Sequence, residues 1–217
     1  MNRFTRMCRP SLPRAIILLA LTLLFLPANA HEAETTIGEP GFRPDSEHAA
    51  AFVAACESST IAVLPTIVRR VERSAVSFDS QAQVIEYLNE HGIGNASRRS
   101  LRVDLGPARR PSQWEMFQYA SRSITERLAD RPGRTDYTMV MEILVPDESA
   151  VFGIEVYIVD KAGQHVFSFL LNEHHAMFAE GNLYATGDTE KAREAMIRRA
   201  TSVGLEALHA QLDKARG

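Results

Sequence analysis

The sequence predicts an α/β domain of the α+β kind, with a mixed sheet of about five strands and helices packed on the sheet. Three observations predict it: a compact apolar segment at Thr60–Pro65, three consecutive apolar or alternating segments between residues 137 and 173, and a long amphipathic segment near the end. The elements follow in the order β-α-β-α-β-β-β-α, after one short helix.

The first elements combine a short helix with a core strand. Asp45 to Glu57 has helical spacing of its apolar residues, which are Ala49, Phe52, Val53 and Cys56. This spacing turns the Cys56 thiol inward as a small apolar group, since no basic or histidine neighbour in sequence would activate it. Thr60–Pro65 then reads as a buried β-branched strand, and Thr66–Val71 extends it after a break.

Two further helices have N-terminal signatures. Ser80 with Gln83, and Ser112 with Glu115, have the spacing of capping boxes, in which the two side chains bond the first free N–H groups of a helix. Gly92 follows the first of these helices, where a left-handed residue ends it.

Strand patterns occupy most of the remaining chain. Arg98–Leu105 alternates in its second half and predicts one strand. Tyr137–Val145, Phe152–Asp160 and His165–Glu173 are separated by tight turn sequences, so we expect three antiparallel strands. Asp188–Ala215 predicts a long final helix whose apolar face packs on the sheet.

The N-terminus is typical of a cleavable secretory signal peptide. Residues 1–14 carry four arginines and no acid, and Ala15–Leu26 is an apolar run too short to span a bilayer. Ala28-Asn29-Ala30 then provides a signal peptidase site before His31. We therefore expect residues 1–30 to be a signal peptide, 31–58 a flexible lead with the short helix, and 59–217 one domain that is periplasmic or secreted. The alternative is an uncleaved membrane anchor.

Composition limits the classes of function. Cleavage at Ala30 removes four of the 24 basic residues and none of the 27 acidic ones, which changes the formal charge from −3 to −7. An acidic protein is a poor match for nucleic acid or an anionic membrane, because both need a basic surface. Cys56 is the only cysteine after cleavage, so no internal disulfide forms, and Cys8 precedes the apolar run, which argues against a lipoprotein. No nucleotide-binding or redox motif appears, so we expect no cofactor.

A pair of carboxylates is the first candidate site. If Leu144 pairs with Gly153, Glu142 lies directly opposite Glu155 on the neighbouring strand. Opposed carboxylates are destabilising unless they are exposed, bind a metal or share a proton, and the last two cases would allow acid–base catalysis. The alternative is a different register, or a solvated sheet face on which neither charge is strained.

Histidines supply the candidate metal site. Asn172-Glu-His-His175 follows the third antiparallel strand, and imidazoles are common ligands. Adjacent strand residues point to opposite faces, so His174 and His175 bind one ion only if the strand has already ended. The alternative is that both histidines form hydrogen bonds at the sheet edge.

Two other groups of residues have the types needed for catalysis or for anion binding. His165, Ser168 and Asp160 have the residue types of a nucleophilic triad, but a regular strand places His165 and Ser168 on opposite faces. Five arginines flank one predicted strand and could contact an anion or a partner, or could form a solvated rim: Arg98, Arg99, Arg102, Arg109 and Arg110.

The element order and the strand Ile61-Ala-Val-Leu-Pro65 resemble a group of bacterial envelope α/β domains. These are the N-terminal domain of the Tol-Pal propeller protein, the lipoprotein activators of penicillin-binding proteins and the periplasmic part of the curli secretion channel. The resemblance covers Thr60 to about Ala215 and implies a non-catalytic module that docks other envelope proteins. This chain departs from those lipoproteins because it lacks the cysteine for lipidation, which leaves an outer-membrane tether open.

Together these observations predict a periplasmic, non-enzymatic binding or accessory protein of the cell envelope, whose partner is an envelope protein or an anionic glycan. The sequence does not predict an oligomeric state. The alternative is a small secreted hydrolase, dependent on a metal or on carboxylates, built around Glu142, Glu155 and His174 or His175.

Overall fold

The computed structural model describes residues 41–42, 46–69, 76–78, 80–105, 113–145, 149–187 and 189–217 of the 217-residue chain. The predicted signal peptide, Ser112, Arg109 and Arg110 lie outside these residues.

The described helices and strands follow the predicted alternation, with additional short strands. In chain order they are β1 (Gly41–Phe42), α1 (Ser46–Ala55), β2 (Thr60–Val63), β3 (Thr66–Arg69), β4 (Val76–Phe78), α2 (Gln81–Glu90), β5 (Asn95–Arg98), α3 (Gln113–Asp130), β6 (Tyr137–Leu144), β7 (Gly153–Asp160), β8 (His165–Asn172), α4 (Ala176–Glu180) and α5 (Glu190–Arg216). The three antiparallel strands and the long final helix are confirmed to within two residues at each end.

The strands form one mixed sheet in the order β1-β8-β7-β6-β2-β5, and β3 adds to β6 with β4 beside it. Strands β6, β7 and β8 pair antiparallel, whereas β2 runs parallel to both β5 and β6. The first half of β6 pairs with β2 and its second half with β3, again in parallel. The predicted class, an α/β fold with a mixed sheet covered by helices, is confirmed.

Helices cover both faces of the sheet. On one face, α1, α2 and α5 bury a large apolar cluster that includes Phe52, Val84, Leu88 and Leu208. On the other face, α3 packs on the sheet through Ala120, Ile124 and Leu128. The central strands are therefore buried on both sides, which accounts for the nearly continuous burial of β7.

The prediction of a strand at Arg98–Leu105 is wrong. The strand in this region is Asn95–Arg98, and residues 101–105 have no strand structure. Leu101 and Leu105 are nevertheless buried, in the cluster under α3. The alternating pattern at 101–105 therefore arises because Leu101 and Leu105 pack in the core, although this segment is not part of a strand.

The capping box predicted at Ser80 is also wrong, although α2 begins directly after this residue. The Ser80 hydroxyl donates to Thr66 Oγ1 at 2.6 Å, and Gln83 Nε2 donates to the Arg198 carbonyl and to Ser202 Oγ on α5. Both side chains therefore bond residues that are distant in sequence and do not cap the helix. Gly92 does follow the helix in a left-handed conformation, with φ of 65°.

One side chain satisfies two backbone groups at the free edge of β5. In a parallel pair with β2, the N–H and C=O of Ala96 point away from the sheet, since those of Asn95 and Arg99 point toward β2. The Asn89 amide bonds both groups: Ala96 N donates to Asn89 Oδ1 at 2.8 Å, and Asn89 Nδ2 donates to Ala96 O at 3.2 Å. Unpaired edges promote association between chains, so Asn89 removes a point at which another strand could add.

Replacing Asn89 by alanine tests this edge contact. We expect Asn89→Ala to lower the free energy of unfolding by about 1 kcal/mol, because two exposed hydrogen bonds are lost, and to increase self-association at high protein concentration. Urea denaturation and analytical ultracentrifugation measure the two effects. Glu90→Ala, at the adjacent exposed position, is the control, and equal behaviour of the two variants would contradict the role of Asn89.

Candidate functional site

The two candidate carboxylates lie opposite one another at the centre of the sheet. Strands β6 and β7 pair in the register that sets Leu144 opposite Gly153, and this register places Glu142 directly opposite Glu155. The conditional prediction about these residues is therefore correct in its geometry. Both side chains point to the face of the sheet that α3 covers, because they alternate with residues of the opposite cluster.

Neither carboxylate reaches solvent. Glu142 is 1 % exposed and Glu155 is 0 % exposed. The alternatives of another register and of a solvated sheet face are both wrong. Two buried carboxylates carry a large desolvation cost unless they are paired or protonated.

Two further side chains complete a carboxyl cluster, which we define as Arg69, Glu142, Glu155 and Tyr157. Arg69 lies on β3, which pairs with β6, and its Nε forms an ion pair with Glu142 Oε1. The Tyr157 hydroxyl donates to Glu155 Oε2 from two residues along β7. The carboxyl groups of Glu142 and Glu155 also lie close enough to share a hydrogen bond.

The electrostatics favour a bound proton. Burial, followed by the charge of Glu155, raises the pKa of Glu142 to about 8, although Arg69 opposes the increase. Burial likewise raises the pKa of Glu155, against the opposing effects of Tyr157 and Arg69. The pKa of Tyr157 is also raised, by burial first and then by the two carboxylates. One proton shared between two carboxylates, beside one guanidinium, leaves the cluster without net charge at neutral pH.

This arrangement has the groups for acid–base chemistry but no access for a substrate. A catalytic carboxyl must come within hydrogen-bond distance of the atom it protonates or deprotonates. Arg69, at 5 % exposed, and Tyr157, at 1 %, are sealed as completely as the two glutamates. In this structure the cluster is an internal polar contact between three strands.

The candidate metal ligands do not assemble into a site. Strand β8 ends at Asn172, so the geometric objection to adjacent histidines does not apply, but His174 is exposed while His175 is buried at the start of α4. The His174 backbone N–H donates to Asn172 Oδ1 at 3.1 Å. Among the residues that the structure describes, no three histidine, cysteine or acidic side chains are grouped to hold a metal ion.

The expectation that His165 and Ser168 face opposite ways is wrong. A β-bulge in the pairing of β7 with β8 sets His165 opposite Val159 and Phe167 opposite Ile158, which adds one residue to β8. His165 Nε2 therefore lies 2.9 Å from Ser168 Oγ. Ser168 is completely buried, and Asp160 Oδ1 accepts from the Gln164 N–H within the turn. A buried hydroxyl cannot attack a substrate, so this pair is a structural contact.

The arginines near β5 are only partly available. Arg98 and Arg102 are exposed, whereas Arg99 is half-buried and donates from Nη2 to the carbonyl of Arg131 at the end of α3. The contact between the residues after β5 and the end of α3 was not predicted from sequence.

Cys56 is buried as predicted, but it has a basic neighbour in space. Arg216, at the end of α5, donates from Nη2 to Cys56 Sγ at 3.0 Å and also pairs with Glu57. These contacts raise the pKa of the Arg216 guanidinium, chiefly through the bond to Cys56. The thiol is 0 % exposed, which leaves it the structural role expected of a buried free cysteine.

Comparison with known proteins adds no assignment: no protein-family model matches the chain, and no curated protein sequence matches it. Fold and site together define an α/β domain with a mixed sheet and a sealed carboxyl cluster. Over the described ranges, none of the helices has the length and apolar character that crossing a bilayer demands.

The raised pKa of Glu142 predicts that stability falls as pH rises. An unfolded glutamate releases its proton near 4.5, whereas Glu142 in the fold holds it to about 8, so the folded state binds more protons in this window. The free energy of unfolding should therefore decrease between pH 5 and 8 by about 1.4 kcal/mol per pH unit for one proton. Urea denaturation at intervals of one pH unit measures the slope.

The variant Glu142→Gln isolates this contribution, since an amide keeps the shape and does not titrate. Its slope between pH 5 and 8 should be smaller than that of the wild type by about one proton. Glu173→Gln, at an exposed position, should leave the slope unchanged. A wild-type stability that is flat or rises over this range would contradict a proton held in the cluster.

Arg69 should contribute most to the stability of the fold at a pH where Glu142 can lose its proton. Arg69→Met should lower the free energy of unfolding by about 3–5 kcal/mol near pH 8, because it leaves a buried carboxylate without its counterion. The loss should be smaller at pH 5, where Glu142 holds its proton. In Arg69→Met/Glu142→Leu, the second substitution should recover part of the loss, and a double-mutant cycle with no coupling would contradict the ion pair.

Proposed function

We propose that this chain is an exported, non-enzymatic binding or accessory protein of the bacterial cell envelope, which acts in the periplasm after removal of residues 1–30. The observation that carries the non-enzymatic part is the sealing of the carboxyl cluster: Glu142 and Glu155 are 1 % and 0 % exposed. They are the described acidic residues that lie directly opposite each other in the sheet, and a substrate cannot contact them.

The export part rests on the order of segments at the N-terminus. An arginine-bearing start, a run of twelve residues that are all apolar except Thr22, and the Ala28-Asn29-Ala30 site suit a signal peptidase, and the run is too short for a stable span. The resemblance to envelope docking modules supports the same compartment, and the expected partner is an envelope protein or an anionic glycan.

Export is tested by expressing the full chain in a Gram-negative host and measuring the mass of the protein released by osmotic shock. We expect a polypeptide that begins at His31. Ala30→Arg should block cleavage and leave the precursor with the membrane fraction, whereas Ala33→Arg, three residues beyond the site, should not. A full-length protein that begins at Met1 in the cytosolic fraction would overturn the proposal.

A second candidate function is hydrolysis, and one observation favours it: two opposed carboxyls, one with its pKa raised to about 8, have the pairing that acid–base hydrolases use. This candidate needs an opening of the sheet that admits substrate. Glu155→Gln and the wild type are compared on chromogenic ester, phosphoester, glycoside and peptide substrates. Activity that Glu155→Gln abolishes without loss of stability would establish the hydrolase, and no difference supports the accessory protein.

A further inference from the structure

Arginines from two segments that are distant in sequence meet at one corner of the domain, beside the end of α3 and the residues after β5. Arg99 donates to the carbonyl of Arg131, and Arg127 Nε donates to the carbonyl of Arg102 at 3.3 Å. The Arg99 guanidinium also packs against Gly133, in the position that the Cβ of a larger residue would take. The arginine corner, as we define it, consists of Arg98, Arg99, Arg102, Arg127, Arg131 and Arg134.

The corner is both fixed and accessible. The two bonds described above, together with a bond from the Ser123 hydroxyl to the Asp104 carbonyl, hold the segment after β5 along α3. Five of its six arginines are exposed, and Arg99 is half-buried. Among the arginines, the donors of these bonds are Arg99 and Arg127, so the guanidinium groups of Arg102, Arg131 and Arg134 can face a ligand.

The charge of the corner is positive although the chain is acidic. The same two segments contribute Asp104, Glu126 and Asp130, which leaves three positive charges in excess, whereas the whole chain has a formal charge of −3. The next acid, Asp136, is turned to Thr60, whose N–H and hydroxyl both donate to it, and these bonds lower its pKa. The negative end of the α3 dipole accounts for cations at Arg127 and Arg131, but not for Arg98 and Arg102 on the other segment.

We propose that the arginine corner binds an acidic polysaccharide, and this rests on the proposed envelope function. A chain of sugar carboxylates offers repeated planar anions to which guanidinium groups bond in pairs. The large apolar side chains exposed among the described residues are Tyr119, Phe152 and Tyr184, and none belongs to the corner. A protein interface needs an apolar centre, and single-stranded nucleic acid needs aromatic stacking, so both fit less well.

The proposal is tested with the mature protein and fluorescent polygalacturonate, by fluorescence anisotropy at 50 and 200 mM salt. We expect binding that weakens at higher salt and no binding of neutral dextran, because the contact is electrostatic. Arg102→Ser/Arg131→Ser should bind about tenfold more weakly, equivalent to about 1.4 kcal/mol. Thermal unfolding verifies that this variant is folded, and Arg131→Ser alone replaces it if it is not.

Lys191→Ser/Arg198→Ser on α5 is the matched control, since it removes two exposed cations elsewhere, and it should bind as the wild type does. Equal weakening in the control, or absence of polygalacturonate binding, overturns the proposal. Tighter binding of single-stranded DNA or of phosphatidylglycerol vesicles also overturns it and identifies the other class of ligand. None of these outcomes changes the export test, so this proposal can fail while the proposed function stands.

Discussion

The ion pair between Arg69 and Glu142 is the contact around which the centre of the sheet is arranged. Glu142 lies on β6, the strand that pairs with β2, β3 and β7, and its charge is balanced only if β3 runs beside the second half of β6. Breaking a buried pair costs more than forming it gains, because the remaining charge stays without solvent. The main effect of the pair is therefore to determine which strands can be neighbours, and its net contribution to stability is small.

The proton in the cluster follows from the same constraint. Two carboxylates and one guanidinium in a sealed interior would hold one uncompensated negative charge, and the uptake of a proton removes it. Tyr157 can donate its hydroxyl to Glu155 only while the phenol keeps its own proton, and its raised pKa ensures that it does. The charge state of each of the four groups in the cluster therefore depends on the other three.

Local patterns in the sequence were enough to predict the three consecutive antiparallel strands β6, β7 and β8, but not the short strand β4 that pairs with β3. The three antiparallel strands agree within two residues, and the register that sets Leu144 opposite Gly153, one of the alternatives left open by the sequence, places Glu142 opposite Glu155. Partners distant in sequence could not be predicted: Arg69 lies 73 residues before Glu142, and nothing local marks it as a counterion. Tyr157 had a signal, since it follows Glu155 by two residues on the same face of a strand.

Two of the incorrect predictions concern side chains whose contacts in the fold differ from those that the local sequence indicates. Ser80 has the position of a helix cap, but its hydroxyl lies in a buried group with Thr66 and Thr201, where an unmet hydrogen bond would be costly. The β-bulge that brings His165 next to Ser168 likewise cannot be recognised from the alternation of apolar and polar residues.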